Sequence, residues 1–325
     1  MTLDKGRYWQ MITECRDLAA HHVGLTKRLY SADCDFNVGS PVNDCAGTDA
    51  IISRFWQPLV RAFPDLERRT DILMGGTFKE GDWIATTGNF VGHFQNSLFG
   101  LRPTGRPHFI RYGWFDRVVG DQVVESYVLL DLTRLMIETG QWPLRPQLGE
   151  NWSPAPATQD GVMLGTADPA ESGKSLKLVE AMIAGLMSYD GQSLSSMGMK
   201  RFWTPQFGWY GPGGIGSARG HGDYERAHQG PFLKAFPDRI GGNHKCRISD
   251  GAYVATSGWP SINATHSGDD WIGIPATGKR ITQRIMDFWR RDGDLLTENW
   301  VFIDMVDLFG QFGVDLLPQV ESESL

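Results

Sequence analysis

Cysteine is scarce in this chain: the 325 residues include only Cys15, Cys34, Cys45 and Cys246. None belongs to a C-x-x-C pair, which argues against a zinc or dithiol redox centre and for free thiols. Basic clusters are also missing. Lys and Arg number 31 against 38 Asp and Glu, giving a formal charge of −7 and a pI near 5.6. Such a surface has no field for a phosphate backbone, so nucleic acid is not an expected partner. No run of about 18 apolar residues occurs, and the N-terminus mixes Asp4, Lys5 and Arg7 with isolated apolar residues. Neither a spanning helix nor a signal peptide is expected, and the reading is a cytoplasmic chain with no membrane partner.

Aromatic and apolar material is abundant, with 41% apolar residues, 12 Trp and 17 Phe. That amount suits two packed interiors, as does a length beyond that of most single cores. The chain repeats itself. Ala62-Phe63-Pro64-Asp65 returns as Ala235-Phe236-Pro237-Asp238, 173 residues later, and Pro58 and Pro231 keep that spacing. His93 and His266, Thr104-Gly105 and Thr277-Gly278, Arg111 and Arg284, Gly120-Asp121 and Gly293-Asp294, and Asp131 and Asp304 follow at the same offset. A spacing this regular marks a tandem duplication. Residues 150–173, rich in Pro, Ala, Ser and Gly, read as a linker between a first lobe over 1–149 and a second over 174–325. Two copies of one domain are expected to pack as an intramolecular pseudo-dimer, with a higher oligomer left open.

Each lobe opens with helical periodicity, through Tyr8, Met11, Ile12, Cys15, Leu18 and Ala19 in the first and Leu176, Val179, Met182, Ile183 and Leu186 in the second. A further helix over Ile51 to Ala62 should stop at Phe63-Pro64. β-rich segments dominate the rest, at Trp83 to Gly88, Tyr253 to Gly258, Ile281 to Arg290 and Glu298 to Ile303, with Gly120-Asp121 and Asp292-Gly293 as hairpin turns. Helices first and a curved antiparallel sheet afterwards make an α+β fold, two cone-shaped lobes each enclosing a cavity. Gly211 to Gly216 lacks the Lys and the frame of a phosphate loop and reads as a flexible loop near a pocket mouth.

A helix start at Gly47-Thr48-Asp49-Ala50, the Ala-Phe-Pro-Asp motif, a histidine shortly after a strand and Gly-x-Pro-x-Thr-Gly form an ordered set, the last written Gly273-Ile274-Pro275-Ala276-Thr277-Gly278 in lobe two and more loosely Gly100-Leu101-Arg102-Pro103-Thr104-Gly105 in lobe one. Together with Glu298, Trp300, Asp304 and Gln311-Phe312-Gly313, the pattern resembles the SnoaL-like polyketide cyclase (ester cyclase) family of the ketosteroid-isomerase-like superfamily. The resemblance implies an intramolecular aldol closure by acid/base catalysis, with no metal or organic cofactor. It also places the catalytic Asp of that family on Val128 and Val301.

The remaining candidates follow from the chemistry. An aldol closure needs a base beside a carbonyl and a donor for the enolate. Asp287 alternates with Ile281, Ile285 and Trp289 along its strand, a setting that raises a carboxyl pKa unless the side chain faces solvent or a cation. His266 is its expected partner, with His93 the first-lobe counterpart; loop hydrogen bonding is the structural alternative for both. Asp131 and Asp304 are candidate pocket acids, or N-caps of the helical runs that follow them. Asn299 and Ser126 could orient a carbonyl oxygen. Tyr210, Trp209, Trp259, Trp300, Trp114 and Tyr127 are candidate substrate-binding aromatics, or core. The expected function is acid/base chemistry on a small hydrophobic carbonyl compound, and the alternative is a non-catalytic carrier of such a molecule.

Overall fold

The computed structural model describes residues 4–14 and 17–317, so Cys15 lies outside the described residues. Two helices, Lys5–Glu14 and Leu18–Leu29, stand where one amphipathic run was expected. Asp17 divides them: its backbone is extended and its carboxylate accepts from the Ala20 N–H, the geometry of an N-cap. The six strands of lobe one are β1 (Tyr30–Val38), β2 (Cys45–Ala46), β3 (Glu67–Phe78), β4 (Gly81–His93), β5 (Pro107–Val119) and β6 (Gln122–Leu130). Their order in the sheet is β2-β1-β6-β5-β4-β3. The sheet is mixed rather than wholly antiparallel, because β1 runs parallel to β6. Between β1 and β3 the chain passes through Thr48–Ala50, a π-helical segment Ile51–Trp56 and Gln57–Ala62, ending where Phe63 leaves helical geometry before Pro64.

Lobe two repeats this plan with β7 (Trp203–Tyr210), β8 (Ser217–Arg219), β9 (Ile240–Gly241), β10 (His244–Asp250), β11 (Tyr253–Thr265), β12 (Arg280–Asp292) and β13 (Leu295–Ile303). The order is β10-β11-β12-β13-β7-β8, with β9 beside β11 and β7 parallel to β13. Its first helix, Pro169–Leu186, begins inside the segment read as linker. Asp168 caps it and Pro169 occupies the first turn, where a missing N–H costs nothing. The rest of that segment lies on the second lobe and the first: Trp300 Nε1 donates to the Pro154 carbonyl at 2.8 Å, and Val162 bridges to Leu73.

Strand alternation sends one face of each sheet into its own cone and the other face toward the opposite lobe. Ile72, Met74, Phe115, Tyr127 and Leu129 of lobe one pack with Ile248, Tyr253, Met286, Phe288 and Phe302 of lobe two in a buried inter-sheet core. The Phe115 and Phe288 rings lie 5.3 Å apart. The approach is close enough that a Cβ on Gly113 would sit 3.0 Å from the Phe302 ring.

Two pseudo-symmetric clamps edge this contact, and they explain the recurrence of Arg111 with Arg284 and of Asp131 with Asp304. Asp131 caps the helix Leu132–Glu138, pairs with Arg111 at 3.0 Å and accepts from the Gly213 N–H across the lobes. Arg111 also donates to the carbonyls of Tyr210 and Gly211. In the mirror arrangement Asp304 caps Met305–Phe312, pairs with Arg284 at 3.2 Å and accepts from the Ser40 N–H of lobe one. The glycine-rich segment 211–216 is therefore buried in an inter-lobe clamp, not a flexible loop at a pocket mouth.

Candidate active site

Aromatic rings fill the middle of lobe one, and a cavity of about 170 Å³ lies to one side, lined by Tyr8, Met11, Ile84 and Val123. Phe36, Phe55 and Trp114 meet ring against ring at 5.4–5.6 Å, Trp56 stacks on Trp114, and all four are fully buried. The acid inside this cone is Asp116, which accepts from Tyr8 Oη at 2.6 Å, Trp114 Nε1 at 2.8 Å and Ser126 Oγ at 2.5 Å. Three donors leave it little capacity for a ligand.

In lobe two the residues at the matching positions are different, and a cavity of about 220 Å³ results. Registers fix the equivalences. Trp114 faces Thr86 and Val128 across β5, and Asp287 faces Thr256 and Val301 across β12. Phe36 opposite Ser126 becomes Trp209 opposite Asn299. The duplicated proline places His228 where lobe one has Phe55, each on a π-helical turn, a geometry that recurs at functional sites. The indole that fills the first cone is thus a carboxyl in the second, and the space it vacates opens beside Trp209, Asn299 and His228.

Asp287 has one polar partner, Asn299 Nδ2 at 3.3 Å, and burial pushes its pKa up to about 7. Asn299 also donates to the Phe288 carbonyl at 3.1 Å, which fixes its amide. His228 stacks on Trp209 with centroids 4.2 Å apart. Its Nδ1 is buried without a partner, and desolvation pulls its pKa down to about 3, so the imidazole is neutral at ordinary pH. Tyr224, Thr256, Gln283, Trp289 and Val301 complete the polar and apolar lining nearby, while the exposed Met187 and Ile240 stand at the rim.

Of the residues singled out from the sequence, Asp287, Asn299 and Trp209 meet in this cavity. His266 does not line it. Its ring is wholly buried between Phe236 and Phe312, and its pKa is lowered by desolvation. Phe94 plays the same part in lobe one, stacked on Phe63 at 4.9 Å. The apparent pairing of His93 with His266 slips by one residue because the loop after β11 is one residue longer than its counterpart: His266 lies five positions before the bridge at Trp271, whereas Phe94 lies four before the matching bridge at Leu98. Asp65 accepts from the His93 N–H, and the matching Asp238 accepts from the Thr265 N–H. His93 itself is exposed on Asp65, at 2.6 Å, outside any cone.

Strand alternation also removes most of the expected aromatics. Tyr210, Trp300, Tyr127 and Trp259 follow or precede inward residues and so face the other lobe, with Tyr210 bonded to Glu298 and Tyr127 to Glu125. Trp114 and Ser126 belong to the closed cone of lobe one, and Asp131 and Asp304 to the clamps. His228 was missed because its helix carries no motif. Its only signal is positional, as the duplicate of Phe55 three residues before the repeated proline.

Cys34, Cys45 and Cys246 are free thiols. Among the described residues no cluster of His, Cys, Asp and Glu could hold a metal ion, and no helix is long and apolar enough to cross a membrane.

Comparison with known proteins supplies the family. The model of the SnoaL-like polyketide cyclases matches this chain twice, over residues 10–138 and 189–312. A search of curated proteins returns no match. Among solved structures, IdmH from Streptomyces antibioticus, described as a candidate polyketide cyclase, is 19% identical over 41% of this chain and 97% of its own, with a TM-score of 0.35. AclR from Streptomyces galilaeus, described as a candidate hydroxylase, is 21% identical over 43% of this chain and 97% of its own, with a TM-score of 0.36. An NTF2-like protein from Burkholderia xenovorans is 13% identical over 43% and 97%, with a TM-score of 0.34. Two matched segments covering most of the chain place it in the SnoaL-like polyketide cyclase family, as a tandem duplicate of that α+β domain.

Proposed function

We propose that lobe two is a cofactor-independent acid/base site for a small hydrophobic carbonyl compound, and that lobe one is a closed structural partner. The observation that carries this reading is the contrast between the two interior acids. Asp116 is tied by three donors, whereas Asp287 has one weak partner, a pKa raised to about 7, and a cavity before it. An acid poised near neutrality serves both halves of a proton transfer.

In the aldol closure typical of the family, ionised Asp287 removes the proton beside a carbonyl. The enolate carbon then bonds to a second carbonyl carbon of the same substrate, and the carboxyl returns its proton to the new alkoxide. Neutral His228 is the donor available to the enolate oxygen, in surroundings dry enough to strengthen the hydrogen bond, while the Asn299 amide holds the Asp287 carboxyl in place.

Proton abstraction from carbon by a carboxylate can be assayed without the natural substrate, using the Kemp elimination of 5-nitrobenzisoxazole. The expected rate rises with pH through a group of pKa about 7 and is lost in Asp287→Asn. Undiminished activity in that variant removes Asp287 from the chemistry. The carrier reading draws its support from Val301, an apolar side chain in the cavity where the family resemblance puts an acid. It predicts apolar ligand binding with no turnover at any pH.

A further inference from the structure

We infer that Gln283 selects a ligand carrying a hydrogen-bond donor and an acceptor side by side on one edge, as in a lactam. The inference rests on the second-lobe cavity being the ligand site. Gln283 lies on β12, two inward positions before Asp287, and lines the cavity. The residue is 1% exposed. Both ends of its amide, Nε2 and Oε1, are buried with no hydrogen-bond partner.

Leaving a buried amide unsatisfied at both ends is costly, and folded proteins seldom tolerate it without a partner supplied from outside the chain. The duplicated lobe sharpens the point. At the equivalent position of β5 it has Ile110, a buried apolar side chain that meets the packing requirement with no polar penalty. Packing alone therefore does not call for a glutamine in this strand.

A planar carboxamide presents an N–H and a C=O about one bond angle apart, and its complement is a group with the reverse pair. A cis-lactam has that pair in fixed geometry. Ile262 stands opposite Gln283 on β11 and Ile285 next along its own face, and most of the wall is apolar, with Ser261, Arg239 and His244 among its polar side chains. The remainder of the ligand is therefore hydrophobic. The cavity volume of about 220 Å³ exceeds a pocket that holds benzene, about 150 Å³, and falls short of most drug-sized sites. One or two rings is the size it accepts.

The test uses 2-quinolone, a bicyclic lactam, against 1-methyl-2-quinolone, which keeps the acceptor and loses the donor. Calorimetric titration of the whole protein should show 2-quinolone binding about tenfold or more tightly, the usual consequence of one unpaired buried polar group. Gln283→Met, or Gln283→Ile in imitation of Ile110, should bring the two affinities together by weakening 2-quinolone alone. Equal affinities in the wild type, an unchanged preference in either variant, or no binding of 2-quinolone would overturn the inference. If the Kemp reaction still depends on Asp287 in that event, the acid/base reading stands and only the ligand assignment falls.

Discussion

Ionising Asp287 in its cavity should weaken the folded state, and the size of the effect follows from its pKa. In an unfolded chain the carboxyl titrates near 3.9, and in the folded protein at about 7. Below both values the group is neutral in either state and adds no pH dependence. Between them the unfolded chain has released a proton that the native state still holds, so stability falls as pH rises, by about 1.4 kcal/mol per unit; above about 7 the loss is complete. From pH 5 to pH 8 the calculated decline is about 2.5 kcal/mol for this one group. Asp287→Asn keeps the shape and removes the titration. Urea denaturation of both proteins across this range should show the variant gaining about that much on the wild type, with the contributions of all other groups cancelling in the difference. Parallel stability curves would refute the argument, because they would mean that Asp287 is hydrated and titrates as an ordinary carboxyl.

Other perturbations separate the remaining roles. Asp131→Ala leaves the buried Arg111 guanidinium unpaired and releases the Gly213 N–H, so urea denaturation should show a loss of about 3–5 kcal/mol. An effect below about 1 kcal/mol would show that the clamp is weak. His266→Phe copies Phe94 and removes an unpartnered buried Nε2. Its melting temperature should be unchanged or higher, and a large loss of Kemp activity would return His266 to the site. His228, neutral above about pH 3, should show no imidazole chemical-shift titration between pH 5 and 8 by NMR. Trp114→Ala empties the first cone, and calorimetry should record a cost of about 3–5 kcal/mol.

Particular residues show where sequence reasoning reached and where it stopped. The alternation of Ile281, Ile285 and Trp289 put Asp287 on one strand face with them, because strand side chains repeat every two residues regardless of context, and the structure turned that face inward. The same rule applied to Trp209-Tyr210 and Asn299-Trp300 assigns opposite faces to neighbours but does not say which face is the cone. With an aromatic layer on both sides of the sheet, the inter-lobe contact decided that question. Histidine assignment failed for a different reason. One extra residue between His266 and Trp271 leaves no mark in composition, and a slip of one position exchanges inside for outside.

The sequence by itself determined the duplication and the α+β character of each lobe, and it offered Asp287 as an inward or a solvated acid and Asp131 and Asp304 as pocket acids or caps. All of these are local or periodic properties, written within one element or repeated at a fixed spacing. Only the tertiary structure decided that the caps also clamp the lobes, that the space around Trp114 is packed with rings while the matching space around Asp287 is open, and that His228 rather than His266 shares the cavity with Asp287. These outcomes depend on which side chains meet across segments distant in the chain. The exchange of Trp114 for Asp287, with those of Phe55 for His228 and Phe36 for Trp209, leaves the elements that carry them in place, yet together they separate a packed core from an open site.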